Sequence, residues 1–305
     1  VYIQGIANQN IVNEVKKRLQ TLNTDDGVTY AQVQQLLSDY PNSIFPMVQV
    51  TERPDKIIAG ILEGRVSIIL DGSSNAMIVP VSLPILMQSI DDYYEKWIIA
   101  SVIRMLRYLC FFISALLPSL YIAITSFHPG ILPTNIALSI AGTRTGVPFP
   151  AFVEAFLMII TLEILQEAGI RLPRVVGQTV SIVGGLVIGQ AAVEAGIISP
   201  IMLIVVSITA ISSYALSDYS LALVTRIIRL PFMIAGTLFG LVGTSILLLV
   251  LLGYVASLES FGVGYLEPIS PYNLRDWKDT LITGSQKWFT RRPAFLKPED
   301  PKRQD

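Results

Sequence analysis

Four side chains in the stretch 175–196, VVGQTVSIVGGLVIGQAAVEAG, have types and spacing suited to handling ions. Plotted at about 100° per residue, Val183, Val187, Gln190 and Glu194 fall within one narrow arc of a helix. A β-branched constriction can gate a pore by dewetting, and a ring of carboxylates concentrates cations at its mouth. We therefore predict that these four residues line an aqueous path. In the alternative interpretation, Gln190 and Glu194 lie at the membrane interface and bond to neighbouring helices.

The opposite side of the same predicted helix carries only small residues. Gly177, Ser181, Gly185 and Gly189 repeat at intervals of four, which is the small-xxx-small pattern of close helix packing. We predict that a neighbouring helix approaches this face backbone to backbone.

The preceding apolar run contains three glutamates, Glu154, Glu163 and Glu167. A carboxylate at the bilayer centre costs about 2.5–3.5 kcal/mol on insertion scales, so each must face protein, water or a cation. Arg171 and Arg174 follow closely and can neutralise Glu167. Glu154 and Glu163 are therefore the intramembrane carboxylates with the strongest claim to a function.

The remaining composition argues against several classes of function. With one histidine and one cysteine, the sequence offers no spaced set of metal ligands and no catalytic triad, so we predict no enzyme activity, no metal and no cofactor. The lone Cys110 excludes an intramolecular disulfide. A net charge of −1 without a basic stripe gives no reason to expect nucleic acid as a partner.

Hydropathy divides the chain into three parts. The mean hydropathy is +0.57, and 15% of residues are charged where soluble domains have about 25%. Between Trp97 and Ala256 there are only seven Lys/Arg and five Asp/Glu. We predict an α/β soluble domain at 1–96, an all-α polytopic membrane domain at 97–256, and a polar, partly disordered tail at 257–305.

Periodicity predicts the elements of the soluble domain in the order β-α-α-β-α-β-β. The predicted ranges are a strand at 1–7, helices near 10–22 and 30–39, a strand at 47–51, a helix at 55–63, and a hairpin of strands 65–70 and 75–81. The last twenty residues read as disordered. Because the chain has no initiator Met and opens inside the first expected strand, we expect it to be part of a longer protein.

The membrane part begins with a long helix from Trp97 that Pro118 should kink. Arg104 and Arg107 near its start either snorkel to headgroups or pair with carboxylates. The remaining segments are a short re-entrant or interfacial piece at 131–142 and apolar runs at 147–173, 175–196, 200–216, 218–229 and 230–256. Both five and six membrane crossings are compatible with these lengths.

Three stretches carry a family resemblance: TERPDKIIAGILEGRVSIILDG at 51–72, PFPAFVEAFLMIITLEILQEAGIRLPRVVGQTVSIVGGLVIGQAAVEAGIISP at 148–200, and SFGVGYLEPISPYNLRDWKDTL at 260–281. The sequence closely resembles the A subunit of GerA-type spore germinant receptors over nearly its whole length. In that family, 1–96 would be the second N-terminal subdomain, and the first is missing here.

The resemblance implies a multi-pass protein of the spore inner membrane with its soluble domain in the cytosol. It also implies a transporter-like B subunit that binds the nutrient, a lipoprotein C subunit, and contact with membrane lipids. A subunits of this family look like homo-oligomeric, pentameric cation channels that germinant opens. A related branch serves dipicolinate release.

Two other functions compete with a germinant-gated channel. A secondary transporter or proton-coupled permease could use Glu154 and Glu163 as proton carriers. A scaffold would use the soluble domain to recruit other germination proteins and the glutamates as structural ion pairs. A ring-shaped oligomer would favour the channel, whereas a monomer or simple dimer would favour the transporter.

Overall fold

A computed structural model of the chain describes residues 1–21, 29–171, 184–185, 187–273, 276–284 and 289–303. These residues form two compact units. The first unit combines 1–108, 217–221 and 251–305, and the second combines 109–216 and 222–250.

The first unit is built on a small antiparallel sheet with order β1-β3-β2. Its strands are β1 (Gln49–Thr51), β2 (Val66–Ile69) and β3 (Ala76–Val79), and its helices are α1 (Gln9–Gln20), α2 (Tyr30–Leu37), α3 (Pro54–Leu62) and α4 (Leu83–Met87). Val50 pairs with Met77, and Ile68 also pairs with Met77 on the other side of β3. The predicted α/β character of this region is confirmed in part, because three of the four expected strands form the sheet.

Local sequence explains where these helices begin. Asn8 caps α1 by accepting a hydrogen bond from the Asn10 N–H at 3.0 Å, and Thr29 with Gln32 forms a capping box on α2. Pro54 opens α3, where its missing N–H costs nothing. Gly64 then turns the chain into β2 with a φ of +98°, a conformation that favours glycine.

The strand predicted at 1–7 does not form. The Ile6 and Ala7 N–H groups both donate to the Ile3 carbonyl, which closes a turn instead. Only Val1 pairs with the sheet, where it exchanges hydrogen bonds with Ser67 at 2.6 and 2.9 Å. Gly5, with a φ of +82°, allows the turn that ends this pairing.

The tail packs onto the α/β core, so the predicted disorder is wrong for 289–303. Phe261 and Val263, in and beside the short hairpin of β4 (Glu259–Ser260) and β5 (Val263–Gly264), join the core of the first unit. Leu296 is 1% exposed, and the Glu299 N–H donates to the Ile6 carbonyl at 3.0 Å. Composition predicted disorder because charge dominates this segment, whereas a few apolar side chains anchor it.

In the ranges that the structure describes, five further α-helices with defined bounds follow the sheet. They are α5 (Trp97–Phe127), α6 (Thr134–Arg144), α7 (Ala151–Arg171), α8 (Pro200–Tyr214) and α9 (Tyr219–Ser257), and residues 187–194 are also helical. Within the described part of the chain, two helices are long and apolar enough to cross a membrane, namely α5 with 31 residues and α9 with 39. The polytopic arrangement and the count of five or six crossings remain predictions.

Helix α9 is a hairpin of two helical arms. At Gly240 the backbone leaves helical geometry, with φ 61° and ψ −142°. In a straight helix, residues eight apart are separated by about 12 Å along the axis, yet a Cβ on Gly243 would lie 2.5 Å from the Ala235 carbonyl oxygen. The chain therefore doubles back, and the continuous last span predicted at 230–256 is wrong. Only glycine tolerates this backbone conformation readily.

Candidate functional site

Glu154 is fully buried and ties three helices together. Its Oε1 lies 3.1 Å from Nη2 of Arg144, the last residue of α6. Its Oε2 accepts hydrogen bonds from the Ser199 N–H at 3.0 Å and the Ser199 hydroxyl at 2.8 Å. Ser199 caps α8, because its Oγ accepts a hydrogen bond from the Met202 N–H. Glu154 therefore joins α7 to the end of α6 and the start of α8.

Glu163 lies between two arginines of α9. Its two carboxylate oxygens are each 3.5 Å from a guanidinium, one on Arg226 and one on Arg229. The Arg229 side chain is 4% exposed and that of Glu163 is 35% exposed. One carboxylate thus contacts two cations, the buried Arg229 and the partly buried Arg226, and these contacts join α7 to α9.

Arg229 has a second role, which follows from Pro118 in α5. Proline lacks an N–H, so the carbonyl four residues earlier, that of Ser114, loses its helical donor. Arg229 Nε donates to this carbonyl at 2.8 Å. The sequence shows the proline but not its partner, because the free carbonyl lies four residues before the proline and the arginine that reaches it is 115 residues away along the chain.

Glu167 forms an exposed pair with Arg171 at 2.7 Å, in which both side chains are more than half exposed. This confirms the prediction that Arg171 neutralises Glu167. Arg174 lies outside the described residues.

Arg104 and Arg107 form a buried ionic cluster with carboxylates of the same chain. Arg107 binds Asp92 through two bonds of 3.0 Å, and Arg104 reaches Asp92 at 3.2 Å and Asp279 at 2.8 Å. The Tyr93 hydroxyl donates to Asp279 at 2.7 Å. Burial raises the pKa of the Asp279 carboxyl, and Arg104 opposes this shift. Of the two arrangements predicted for Arg104 and Arg107, the structure shows the pairing with carboxylates.

The predicted ion path is described only in part, because Val183, Gly177 and Ser181 lie outside the described residues. Val187 is 57% exposed, and Gln190 and Glu194 are exposed on the same helical segment. Glu194 forms no ion pair with any residue that the structure describes. These three side chains are therefore on the surface of a single chain, available to water or to another copy.

The two described glycines of the small-residue face have different surroundings. A Cβ on Gly189 would lie 2.8 Å from Cδ1 of Leu203 in α8, so this position admits a close neighbour within the chain. A Cβ on Gly185 would meet no atom within 4 Å.

The residues that the structure describes contain no candidate metal site. Within the described ranges, no three His, Cys, Asp or Glu side chains are grouped so as to hold an ion.

Comparisons with known proteins find relatives among spore germination proteins. A family described as Bacillus/Clostridium GerA spore germination protein matches residues 1–295. Spore germination protein B1 of Bacillus subtilis (strain 168) is 47% identical over 303 residues, covering 99% of this chain and 63% of that protein. Spore germination protein GerLA of Bacillus cereus is 43% identical over 300 residues, covering 98% of this chain and 61% of that protein.

A third relative, named uncharacterized membrane protein YfkQ of Bacillus subtilis (strain 168), is 39% identical and covers 99% of this chain and 60% of its own length. The chain thus spans about three fifths of the length of these relatives. No solved structure shows a significant match. The whole-chain family match and the high identities together show that this chain belongs to the GerA spore germination protein family.

Proposed function

We propose that this chain is the A subunit of a nutrient germinant receptor in the spore inner membrane, and that several copies form a cation channel. The multi-pass chain would act with a transporter-like B subunit and a lipoprotein C subunit, and its soluble domain would face the cytosol. Family membership supports the role in germination. The arrangement of the acidic residues supports the channel.

Glu194 is the observation that carries the channel proposal. Between Trp97 and Ala256 the chain has five acidic residues. Glu154, Glu163 and Glu167 are paired with arginines, and Asp218 caps α9. Glu194 alone is both exposed and without an ion pair to any described residue. A carboxylate within an apolar part of the chain must find water, a cation or another protein surface.

A symmetric oligomer would give Glu194 a function. One carboxylate per subunit would collect in a ring at the mouth of a central path, and such a ring attracts cations and repels anions. Gln190, one turn away, would extend the polar lining, and Val187 with Val183 would supply an apolar constriction beyond it. Gly185, where a Cβ would meet no atom within 4 Å, would then be free to meet a neighbouring copy, whereas Gly189 already lies against Leu203 of the same chain.

The ion pairs disfavour a proton-coupled transporter. Its candidate proton carriers are Glu154 and Glu163, and each of them lies beside at least one arginine. An ion pair that joins neighbouring helices accounts for the presence of a carboxylate in an apolar region without any transport of protons. These contacts favour structural roles for both glutamates.

The test is the charge selectivity of the purified chain in liposomes across a tenfold KCl gradient. An ideally cation-selective pathway would give a reversal potential of about 59 mV. Glu194→Gln keeps the size and hydrogen-bonding capacity of the side chain, so a drop toward zero would report the lost charge. Glu167→Gln is the matched control, because it removes an exposed glutamate of a neighbouring helix.

Native mass spectrometry of the same samples would count the subunits. The proposal predicts a ring-sized oligomer, cation selectivity in the wild type and in Glu167→Gln, and reduced selectivity in Glu194→Gln. Equal reversal potentials for all three folded proteins would remove Glu194 from the ion path. A monomer that transports ions without a measurable conductance would refute the channel proposal and favour a transporter.

A further inference from the structure

The first unit contains a cavity of about 350 Å³ between the α/β core and the tail. Its size is within the range of small-molecule pockets, about 300–1,000 Å³. Among the described residues, its walls include five cationic and three acidic side chains, a surplus of two positive charges.

The three acidic side chains of the wall are already engaged by the protein. Glu63 binds Arg65 at 2.8 Å and lies 3.8 Å from Arg303. Asp279 binds Arg104 and the Tyr93 hydroxyl. A ligand in the cavity would therefore meet carboxylates whose charge is largely compensated.

Asp276, the third acid, is engaged by the tail. Its Oδ2 accepts hydrogen bonds from the backbone N–H groups of Ala294 and Phe295 at 2.9 and 3.1 Å. It also accepts a bond from the Asn273 side chain at 3.2 Å. This carboxylate therefore fixes the position of the tail and leaves little capacity for a ligand.

Several of the cationic groups are incompletely engaged, and Arg65 pairs with Glu63 through Nη2 only. Arg65 is 5% exposed, and its buried Nε has no hydrogen-bond partner among the described residues. Lys278 and Arg291 are exposed and form no ion pair with any described residue. An unsatisfied buried donor is costly, which is a reason to expect an acceptor from outside the protein.

Apolar side chains complete the cavity. Ile85, Phe289 and Phe295 line it together with three prolines. A pocket with apolar walls and a few convergent charged groups suits a ligand that has both an apolar body and a charged end.

We propose that this cavity binds a small organic anion, whose carboxylate or phosphate meets Arg65, Lys278 and Arg291 while its apolar part lies against Phe289 and Phe295. The site is independent of the proposed ion path and uses none of its residues. Asp279 belongs both to the cavity wall and to the Arg104 cluster at the start of α5. An occupied cavity is therefore in direct contact with a group that holds the first turns of that helix.

The experiment measures binding by fluorine NMR on the full chain in a neutral detergent. The probes are 4-fluorobenzoate, 4-fluorophenyl phosphate and the neutral analogue 4-fluorobenzamide. We expect saturable line broadening for at least one of the anions and none for the amide. The stronger of the two anions would distinguish a carboxylate from a phosphate ligand, and competition by inorganic phosphate would support the latter.

Substitutions then locate the site. Arg291→Gln and Lys278→Gln should each raise Kd about tenfold, since each removes a charged hydrogen-bond donor. Arg291→Lys keeps the charge and should retain most of the affinity. Lys17→Gln, which removes an exposed lysine on α1, is the matched control and should leave Kd unchanged.

Three results would overturn the proposal. They are the absence of saturable binding for both anions, equal binding of the benzoate and the benzamide, and anion affinities that neither Arg291→Gln nor Lys278→Gln alters. Both substituted side chains are exposed, so the variants should fold, and far-UV circular dichroism would verify this.

Discussion

Replacing Glu154 with glutamine removes one charge from the contact that joins α6, α7 and α8. The side chain of Glu154 is 0% exposed and that of Arg144 is 21% exposed. Glutamine can still accept the hydrogen bonds from Ser199, so the main loss is the ion pair. Removing one partner of a buried pair costs about 3–5 kcal/mol. Because Arg144 retains some access to water, we expect the lower end, about 3 kcal/mol.

The measurement is thermal unfolding of the purified chain in detergent, followed by far-UV circular dichroism. At about 2–4 °C per kcal/mol, the scale for domains of 150–250 residues, Glu154→Gln should lower Tm by about 6–12 °C. Glu167→Gln is the matched control on the same helix. Its pair with Arg171 is an exposed i,i+4 contact, which is worth about 0.3–0.5 kcal/mol, so its Tm should fall by no more than about 2 °C.

A double-mutant cycle separates the ion pair from other effects of the substitution. If the pair carries the loss, Arg144→Gln combined with Glu154→Gln should cost clearly less than the sum of the two single changes. Equal Tm shifts for Glu154→Gln and Glu167→Gln would refute the reasoning, because burial would then make no difference. Strictly additive Tm shifts in the cycle would mean that Glu154→Gln destabilises the protein through lost packing and not through the lost charge.

Two further predictions concern the backbone irregularities of the long helices. Arg229→Gln should lower Tm, and the loss should shrink in a Pro118→Ala background, because alanine restores an N–H donor for the Ser114 carbonyl; an equal loss in both backgrounds would contradict this assignment. Gly240→Ala should cost about 1–3 kcal/mol, since its φ of 61° and ψ of −142° strain any side chain. Gly253→Ala in the same helix is the control, because a Cβ there meets no atom within 4 Å. In the same unfolding assay it should be neutral or slightly stabilising. An equal loss of stability in both variants would rule out strain at Gly240.

Local signals in the sequence predicted most of the helices and the central hairpin. Helix caps and glycine turns could be predicted because residues that are neighbours along the chain determine the structure there, as at Asn8 and Gly64. The prediction failed where contacts between residues far apart in the sequence determine the structure. The first residues are β-prone but close a turn, and the charged tail is ordered because Phe295 and Leu296 pack against the core.

The site residues show the same division. The sequence identified Glu154 and Glu163 as carboxylates that need partners, since an apolar environment demands them. It could not name those partners. Arg144 is ten residues away and Arg229 is 66 residues away along the chain, and only the packing of the helices brings them together.

The fold of the first unit also bears on the number of membrane crossings. Phe261 and Val263, which follow the apolar region, belong to the same hydrophobic core as α1 and the sheet, which precede it. A chain whose two ends share one core has both ends on the same side of a membrane. We therefore predict that, if the residues between Trp97 and Ala256 cross a membrane, they cross it an even number of times, a condition that six crossings satisfy and five do not.

Arginines of the apolar region are weak signals of membrane topology in this chain. The positive-inside rule applies to charges in short loops near the ends of the spans. Arg226 and Arg229 pair with Glu163, and Arg104 and Arg107 pair with Asp92. Paired and buried cations report on packing within the protein more than on the sidedness of the membrane. In a topology with six crossings, the hairpin at Gly240 would supply one reversal of the chain. Each of its arms, 219–239 and 241–257, is long enough at about 1.5 Å per residue to span most or all of a hydrocarbon core about 30 Å thick.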